Sequence, residues 1–230
     1  MIKVDVVATG SSGNFAVIEN VIAIDVGVSY KTVEPYMDKL KLVLLTHEHG
    51  DHFKISTVRR MALEKPKLKF ACGPFMVHKL MDANVPERNI VILRPNLLYG
   101  FGICDVIPVE LEHDVKNYGY KIHFRHGKMF WATDMASLNG IVAKDYDLYC
   151  VEANYEKDEI QARMDAKLSE GVYAYEQRVV RYHMSKEDCD NWLVRNVGPN
   201  SEFVYLHCHK EEKNERNQEG KHLVDGAGRD

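Results

Sequence analysis

Thr46-His47-Glu48-His49-Gly50-Asp51-His52 puts three imidazoles and a metal-reaching carboxylate, Asp51, within six residues. Imidazole nitrogens and carboxylate oxygens are ligands for zinc, manganese or iron. His47 and His49, two apart in an extended segment, can point the same way and hold one ion. Asp51 and His52, where the loop turns, can reach a second. A lone His-x-His pair is a weak signal. The whole His-x-His-x-Asp-His string, directly after the apolar run Leu42-Val43-Leu44-Leu45, is far more specific. Four later places carry donors that could complete a two-metal site: His113-Asp114, Asp134 and His207, each after a predicted strand, and His183, just before a helix. Asp25 ends an apolar strand. A buried carboxylate needs a partner, and a hydrogen bond to a metal-ligating histidine supplies one. Ser11, Ser12, Gly13 and Asn14 suit a tight turn that exposes N–H groups and can bind an anion, although the segment alone reads as a plain hairpin turn. His209 is a substrate contact or simply an exposed side chain.

These residues have to be positioned by the elements around them. Ile2–Ala8 alternates apolar and polar residues as a half-buried strand does, and Phe15–Glu19, Val21–Val26 and Lys41–Leu45 read as three more strands. Leu68–Ala71, Asn89–Leu93, Ile103–Val109, Tyr118–Phe124, Lys128–Ala132, Leu148–Glu152 and Glu202–Leu206 continue the series. Helices are predicted over 32–39, 54–64, 74–81, 157–164 and 169–181. Another starts at the N-cap Ser185, has an acidic first turn, and stops before Gly198-Pro199. This pattern supports an α/β or α+β class. From about Asn214 the composition becomes charged and then glycine-rich, as in a mobile tail.

Composition narrows the class further. The chain has 230 residues, enough for one large domain with its own core. No apolar run approaches the ~20 residues of a membrane span, and the amino terminus lacks the shape of a signal peptide. No membrane association and a cytoplasmic location are the expectation. The five cysteines are scattered, with no Cys-x-x-Cys pair, and read as free thiols. A net charge of −4 argues against a generally basic nucleic-acid binder. Two basic stretches, Lys54 to Lys69 and Lys121 to Lys128, could contact phosphates but read more simply as solvated faces.

In its order of donors the chain resembles the metallo-β-lactamase superfamily, and more narrowly the nuclease-like YycJ/WalJ branch. The matching segments are Thr9-Gly10-Ser11-Ser12-Gly13-Asn14, Thr46–His52, Glu112-His113-Asp114, Ala132-Thr133-Asp134, Val151-Glu152-Ala153-Asn154, His183-Met184-Ser185 and His207-Cys208-His209. The resemblance implies a four-layer αββα sandwich of two mixed β-sheets flanked by helices, a single domain over residues 1–214 and a tail over 215–230. It implies two divalent metal ions, zinc or manganese first and iron as a further option. One would be held by His47, His49 and His113, the other by Asp51, His52 and His207, with Asp134 bridging. Asp51 would also orient the attacking water, and His183 would face the scissile phosphate as a catalytic group. Ser11, Ser12, Gly13, Asn14 and His209 would contact substrate, and Asp25 would support a ligand. The implied activity is a dinuclear metal-dependent phosphodiesterase, first of all a nuclease acting on DNA. A small-nucleotide or cyclic-nucleotide phosphodiesterase and an ester, thioester or lactone hydrolase stay open, as does a homodimer. The chain departs from the branch at Tyr182, at Cys208-His209 and at Phe15, all near the substrate side of the site.

Overall fold

The computed structural model describes residues 1–208; His209, the boundary at 214 and the tail over 215–230 lie outside them. The first half of the chain builds one six-stranded sheet in sequence order: β1 (Val4–Ala8), β2 (Phe15–Ile18), β3 (Ile22–Ile24), β4 (Leu42–Leu45), β5 (Lys69–Cys72) and β6 (Ile90–Ile92). The second half builds the other, again with sequence neighbours adjacent: β7 (Tyr99–Gly100), β8 (Asp105–Leu111), β9 (Asn117–Phe124), β10 (Gly127–Ala132), β11 (Leu148–Glu152) and β12 (Glu202–Leu206). Both sheets are mixed. β1–β3 and β7–β10 pair antiparallel, while β3–β6 and β10–β12 pair parallel. Helices α1 (Tyr30–Val33), α2 (Ile55–Glu64) and α3 (Val77–Asp82) come from the first half, and α4 (Lys157–Ser169), α5 (Glu176–Tyr182) and α6 (Lys186–Asn196) from the second.

The central strands are apolar on both faces because each face meets a different layer. In β4, Leu42 and Leu44 enter the core between the sheets, while Val43 and Leu45 pack with Val58 and Met61 of α2. In β10, Met129 and Trp131 face the inter-sheet core, while Phe130 and Ala132 pack with Trp192 and Leu193 of α6. The period of two along each strand thus creates three apolar layers and the expected αββα sandwich. Tyr120 crosses from the second sheet and donates its hydroxyl proton to the carbonyl of Leu45 at the end of β4.

Several predicted elements change. The helix expected over 157–164 runs on to Ser169 as α4, and the one expected over 169–181 shortens to α5, Glu176–Tyr182. α4 ends with Gly171 at φ 69, its N–H donating to the Leu168 carbonyl at 3.1 Å while the Val172 N–H reaches Lys167 at 2.9 Å. This pair of reversed bonds is a Schellman stop, which glycine permits because it lacks a Cβ. The helix expected over 32–39 shortens to α1, and Pro35 follows in a 3-10 turn over Glu34–Tyr36. The two-residue strand β7 had no signal in the sequence. Among the described residues, no helix is long and apolar enough to cross a membrane.

Three strand ends share a feature that serves the site. Asp25 follows β3, Asp134 follows β10 and His207 follows β12, and all three adopt left-handed backbone, with φ of 56, 55 and 54. Such conformations cost energy for residues other than glycine. Here they turn each side chain off its strand and into the loops at the carboxyl ends of the sheets.

Candidate metal centre

The His47–His52 loop is fixed before any of its side chains is considered. The backbone N–H of Asn14 donates to the Asp51 carbonyl at 2.7 Å, Val26 donates to His52 at 2.8 Å, and Lys54 donates to Val26 at 2.7 Å. Gly27 lies flat against this loop: a Cβ there would fall 1.6 Å from the Asp51 carbonyl oxygen. Neither backbone segment can retreat without losing those bonds. Gly27→Ala should therefore cost at least about 3 kcal/mol in denaturant unfolding, the upper range for overpacking, and should lower metal content. An unchanged unfolding midpoint would mean that the loop is free to yield.

Hydrogen bonds decide which nitrogen of each histidine is available. The single hydroxyl proton of Thr46 goes to Asp25, 2.8 Å away. Its oxygen therefore accepts from His47 Nδ1 at 3.0 Å, which leaves the His47 Nε2 lone pair facing the site. Asp25 Oδ2 likewise accepts from His52 Nδ1 at 2.7 Å, which turns His52 Nε2 towards Asp134, 3.0 Å away. The carbonyl of Tyr182 accepts from His113 Nδ1 at 3.1 Å. His113 Nε2 is then buried and makes no hydrogen bond, with Asp114 Oδ1 at 3.2 Å. Burial holds the pKa values of His47 and His113 below the ordinary histidine value, so both rings present lone pairs. His47 Nε2 and His49 Nδ1 are 3.1 Å apart. Nitrogens bound to one tetrahedral zinc lie about 3.3 Å apart, given bonds of about 2.0–2.1 Å.

These donors gather around Asp134, which is buried and carries a pKa held well below the usual carboxylate range. Burial works against its ionisation, and the neighbouring His52 and His207 outweigh it. Asp134 Oδ2 is 3.5 Å from His47 Nε2 and 3.0 Å from His52 Nε2, while Oδ1 is 2.7 Å from His207 Nδ1. The donor atoms form three overlapping groups: His47, His49, His113 and Asp134; Asp51, His52 and Asp134; and Asp134, Glu152, His183 and His207. The donor set fits metal binding on two observations: His113 Nε2 is buried without a hydrogen bond, and His47 Nε2 and His49 Nδ1 stand about as far apart as two ligands of one zinc ion.

The third group departs from the expected arrangement. His207 was expected beside Asp51 and His52, but its Nδ1 sits between Asp134 and Glu152 Oε1, 3.1 Å from the latter. Glu152 is the residue that the sequence reading missed. It is the last residue of β11, fully buried, and its Oε1 also lies 2.6 Å from His183 Nδ1 while its Oε2 accepts from Met135 N at 2.9 Å. A carboxylate ending the apolar strand Leu-Tyr-Cys-Val-Glu was the available signal, of the same kind that singled out Asp25. Two other positioning groups carried no comparable signal. The Asn117 amide donates to the carbonyls of Thr133 and Asp134, at 2.9 and 2.6 Å. Thr46 links Asp25 to His47.

Paired with two carboxylates, His207 has its pKa pushed up to about 10; burial opposes the shift, and Asp134 outweighs it. Its folded pKa lies above the ordinary value, so near pH 7.5 the metal-free ring holds an extra proton. Ligation removes a proton from such a ring. Calorimetric titration of metal at pH 7.5, in buffers of differing ionisation enthalpy, should report net proton release. His207 contributes to it together with His52, where burial opposes protonation but Asp134 and Asp25 outweigh it and raise the pKa. His207→Ala should release about one proton fewer. An unchanged release in that variant would place His207 outside the ligand set.

The donors lie at the floor of a cleft of about 500 Å³. Ser11 and Ser12 line it, as do Asp51, His183 and His207; Gly13 and Asn14 do not. The expected anion turn is partly consumed by its own fold. Asn14 is buried, its Oδ1 accepts from Gly10 N at 2.9 Å, and its amide nitrogen is 2.7 Å from His52 Nε2. Asn14 therefore braces the metal loop from inside. The basic stretches at 54–69 and 121–128 contribute nothing to the cleft lining. Lys65, for example, caps the carbonyls of Met37 and Asp38.

A two-sheet sandwich with clustered histidines and carboxylates at its strand ends defines a metal-dependent hydrolase. The chain belongs to the beta-lactamase superfamily, whose domain model matches residues 24–200. It is 25% identical over 238 aligned residues to exodeoxyribonuclease WalJ of Streptococcus pneumoniae, spanning 91% of this chain and 82% of the relative. Among solved structures, the metallo-beta-lactamase fold protein YhfI from Bacillus subtilis superposes with a TM-score of 0.73 at 16% identity, over 98% of this chain and 94% of that one. Human tRNase Z, short form, superposes with a TM-score of 0.63 at 14% identity, over 93% and 95% of the two chains.

Proposed function

We propose that the protein is a dinuclear metal-dependent phosphodiesterase and that its substrate is DNA. The observation that carries this reading is the His183–Glu152 pair beside the cluster of candidate metal ligands. Glu152 fixes His183 Nδ1 at 2.6 Å, which directs the other nitrogen of a ring that is 19% exposed into the cleft. Burial opposes protonation of His183, but Glu152 and Asp134 outweigh it and raise its pKa above the ordinary value. A protonated imidazole suits a substrate with a negative phosphoryl group and a poor alkoxide leaving group, because it neutralises the one and can protonate the other.

In this reading His47, His49 and His113 would hold one ion and Asp51 and His52 the other, Asp134 would serve both, and His207 would join the second ion on giving up its contact with Glu152. Divalent ions of this kind supply a water of lowered pKa and charge to stabilise the phosphoryl oxygens. The protein's own residues do the rest. Asp51, its side chain 25% exposed in the cleft, orients the attacking water. His183 protonates the departing oxygen. Ser11 and Ser12 border the path of the substrate. The relative named an exodeoxyribonuclease supports DNA as the polymer. Zinc and manganese both fit the nitrogen and oxygen donor set.

The test is hydrolysis of bis-p-nitrophenyl phosphate by protein loaded with manganese or zinc, run beside labelled single-stranded DNA and a panel of cyclic nucleotides. Degradation of the DNA to short products supports the proposal. Cleavage of a cyclic nucleotide with the DNA left intact would replace it with a small-nucleotide activity. No diester cleavage by metal-loaded protein would turn attention to esters and thioesters.

A further inference from the structure

Helix α5 forms one wall of the cleft, and its chemistry differs from that of the metal floor. Tyr175, at its N-cap, and Arg178, Val179 and Tyr182 within it all line the cleft. They are spaced i, i+3, i+4 and i+7 and so share one helix face. The wall is anchored to the floor, since the Tyr182 carbonyl accepts from the ligand candidate His113. Tyr175 is 52% exposed, and the Lys167 ammonium lies 4.2 Å from its ring centroid. Lys167 is itself held by Glu176 at 2.6 Å, so a fixed cation braces one face of the ring. Arg178 reaches across to Asp114 Oδ2 at 2.5 Å, next to His49 and His113. It is the one arginine or lysine lining the cleft among the described residues. Its side chain is 67% exposed, and an ion pair that open is weakly held.

We propose that this face is the base-binding wall of the site: Tyr175 stacks on the nucleobase beside the scissile phosphate, and Arg178 leaves Asp114 for a phosphate oxygen. A base can lie on Tyr175 only when it is free of its own neighbours, so the favoured substrate is a single-stranded or frayed strand. The inference rests on the phosphodiesterase reading and adds the element that selects the strand. Stacking on an aromatic side chain tolerates any base and contributes strongly to single-strand binding. Arginine suits the phosphate because its planar fork pairs with two oxygens at once.

The experiment uses metal-loaded His183→Ala protein, which binds with little turnover, and fluorescence anisotropy of two labelled strands. One is a short oligothymidylate; the other has the same length and backbone but abasic sugars. The parent should prefer the strand with bases on the order of tenfold. Tyr175→Ala should abolish that preference, and Tyr175→Phe should keep it. Arg178→Ala should weaken both strands alike and flatten the dependence of affinity on salt by roughly one phosphate contact. A Tyr175→Ala protein that still prefers bases, or a Tyr175→Phe protein that loses the preference, would overturn the inference. The catalytic reading fails separately: that failure appears as loss of bis-p-nitrophenyl phosphate hydrolysis in protein with His183 intact, whatever the anisotropy gives.

Discussion

Asp134→Asn is expected to abolish hydrolysis of every phosphodiester and to empty the site of metal. The carboxylate touches all three donor groups, with oxygens 3.5 Å from His47, 3.0 Å from His52 and 2.7 Å from His207. An amide keeps the shape but loses the charge and offers one oxygen instead of two. Residues that only support a ligand already cost 10- to 100-fold in affinity or activity when removed, so the central carboxylate should cost more than about a hundredfold. Metal analysis by mass spectrometry, with turnover measured on the same sample, checks both parts. Full activity at full metal content would remove Asp134 from the mechanism. The fold should survive, because Asn117 grips the backbone of residue 134 and not its side chain.

His183→Ala should separate chemistry from metal binding. If His183 protonates the leaving oxygen, its loss should lower kcat by about 10²- to 10⁴-fold while both ions stay bound. Glu152→Gln should act in the same direction through His183, but it also releases His207 and so should lower metal affinity. The two variants therefore differ in a second readout, metal content. A substrate with an activated p-nitrophenolate leaving group needs little protonation, so His183→Ala should be far less damaging with it than with DNA. Equal losses on both substrates would assign His183 to charge stabilisation alone.

The sequence revealed the parts of this site that sit next to each other along the chain. The His47–His52 string and its apolar strand are local, and a period of two is visible within one strand. Asp25 was legible because a carboxylate at the end of an apolar strand requires a partner. Glu152 meets the same condition but was overlooked: it enters the sequence reading only as the end of the strand Leu148–Glu152 and as part of a matching segment, with no partner assigned to it. The Arg178–Asp114 pair, the Asn117 clamp and the inward turn of Asn14 join residues far apart in sequence, and no spacing rule announces such contacts. The break between α4 and α5 turned on Gly171. A helical reading across a single glycine is common, and here the Schellman stop prevailed over the propensity of its neighbours.

Each half of the chain makes its own sheet, and among the described residues no strand passes between them. The donors divide the same way: His47, His49, Asp51 and His52 belong to the first half, and His113, Asp134 and His207 to the second. Bound ions would therefore act as a cross-link between two layers that already share the core between the sheets, joining points far apart along the polypeptide. Cross-links of that kind stabilise by limiting the unfolded chain, and more so for longer loops. The energy of ligation would be shared between holding the halves together and performing chemistry. Removing the ions should loosen the sandwich along the plane between its sheets, making the reaction centre also the fastener that lets two halves melt as one.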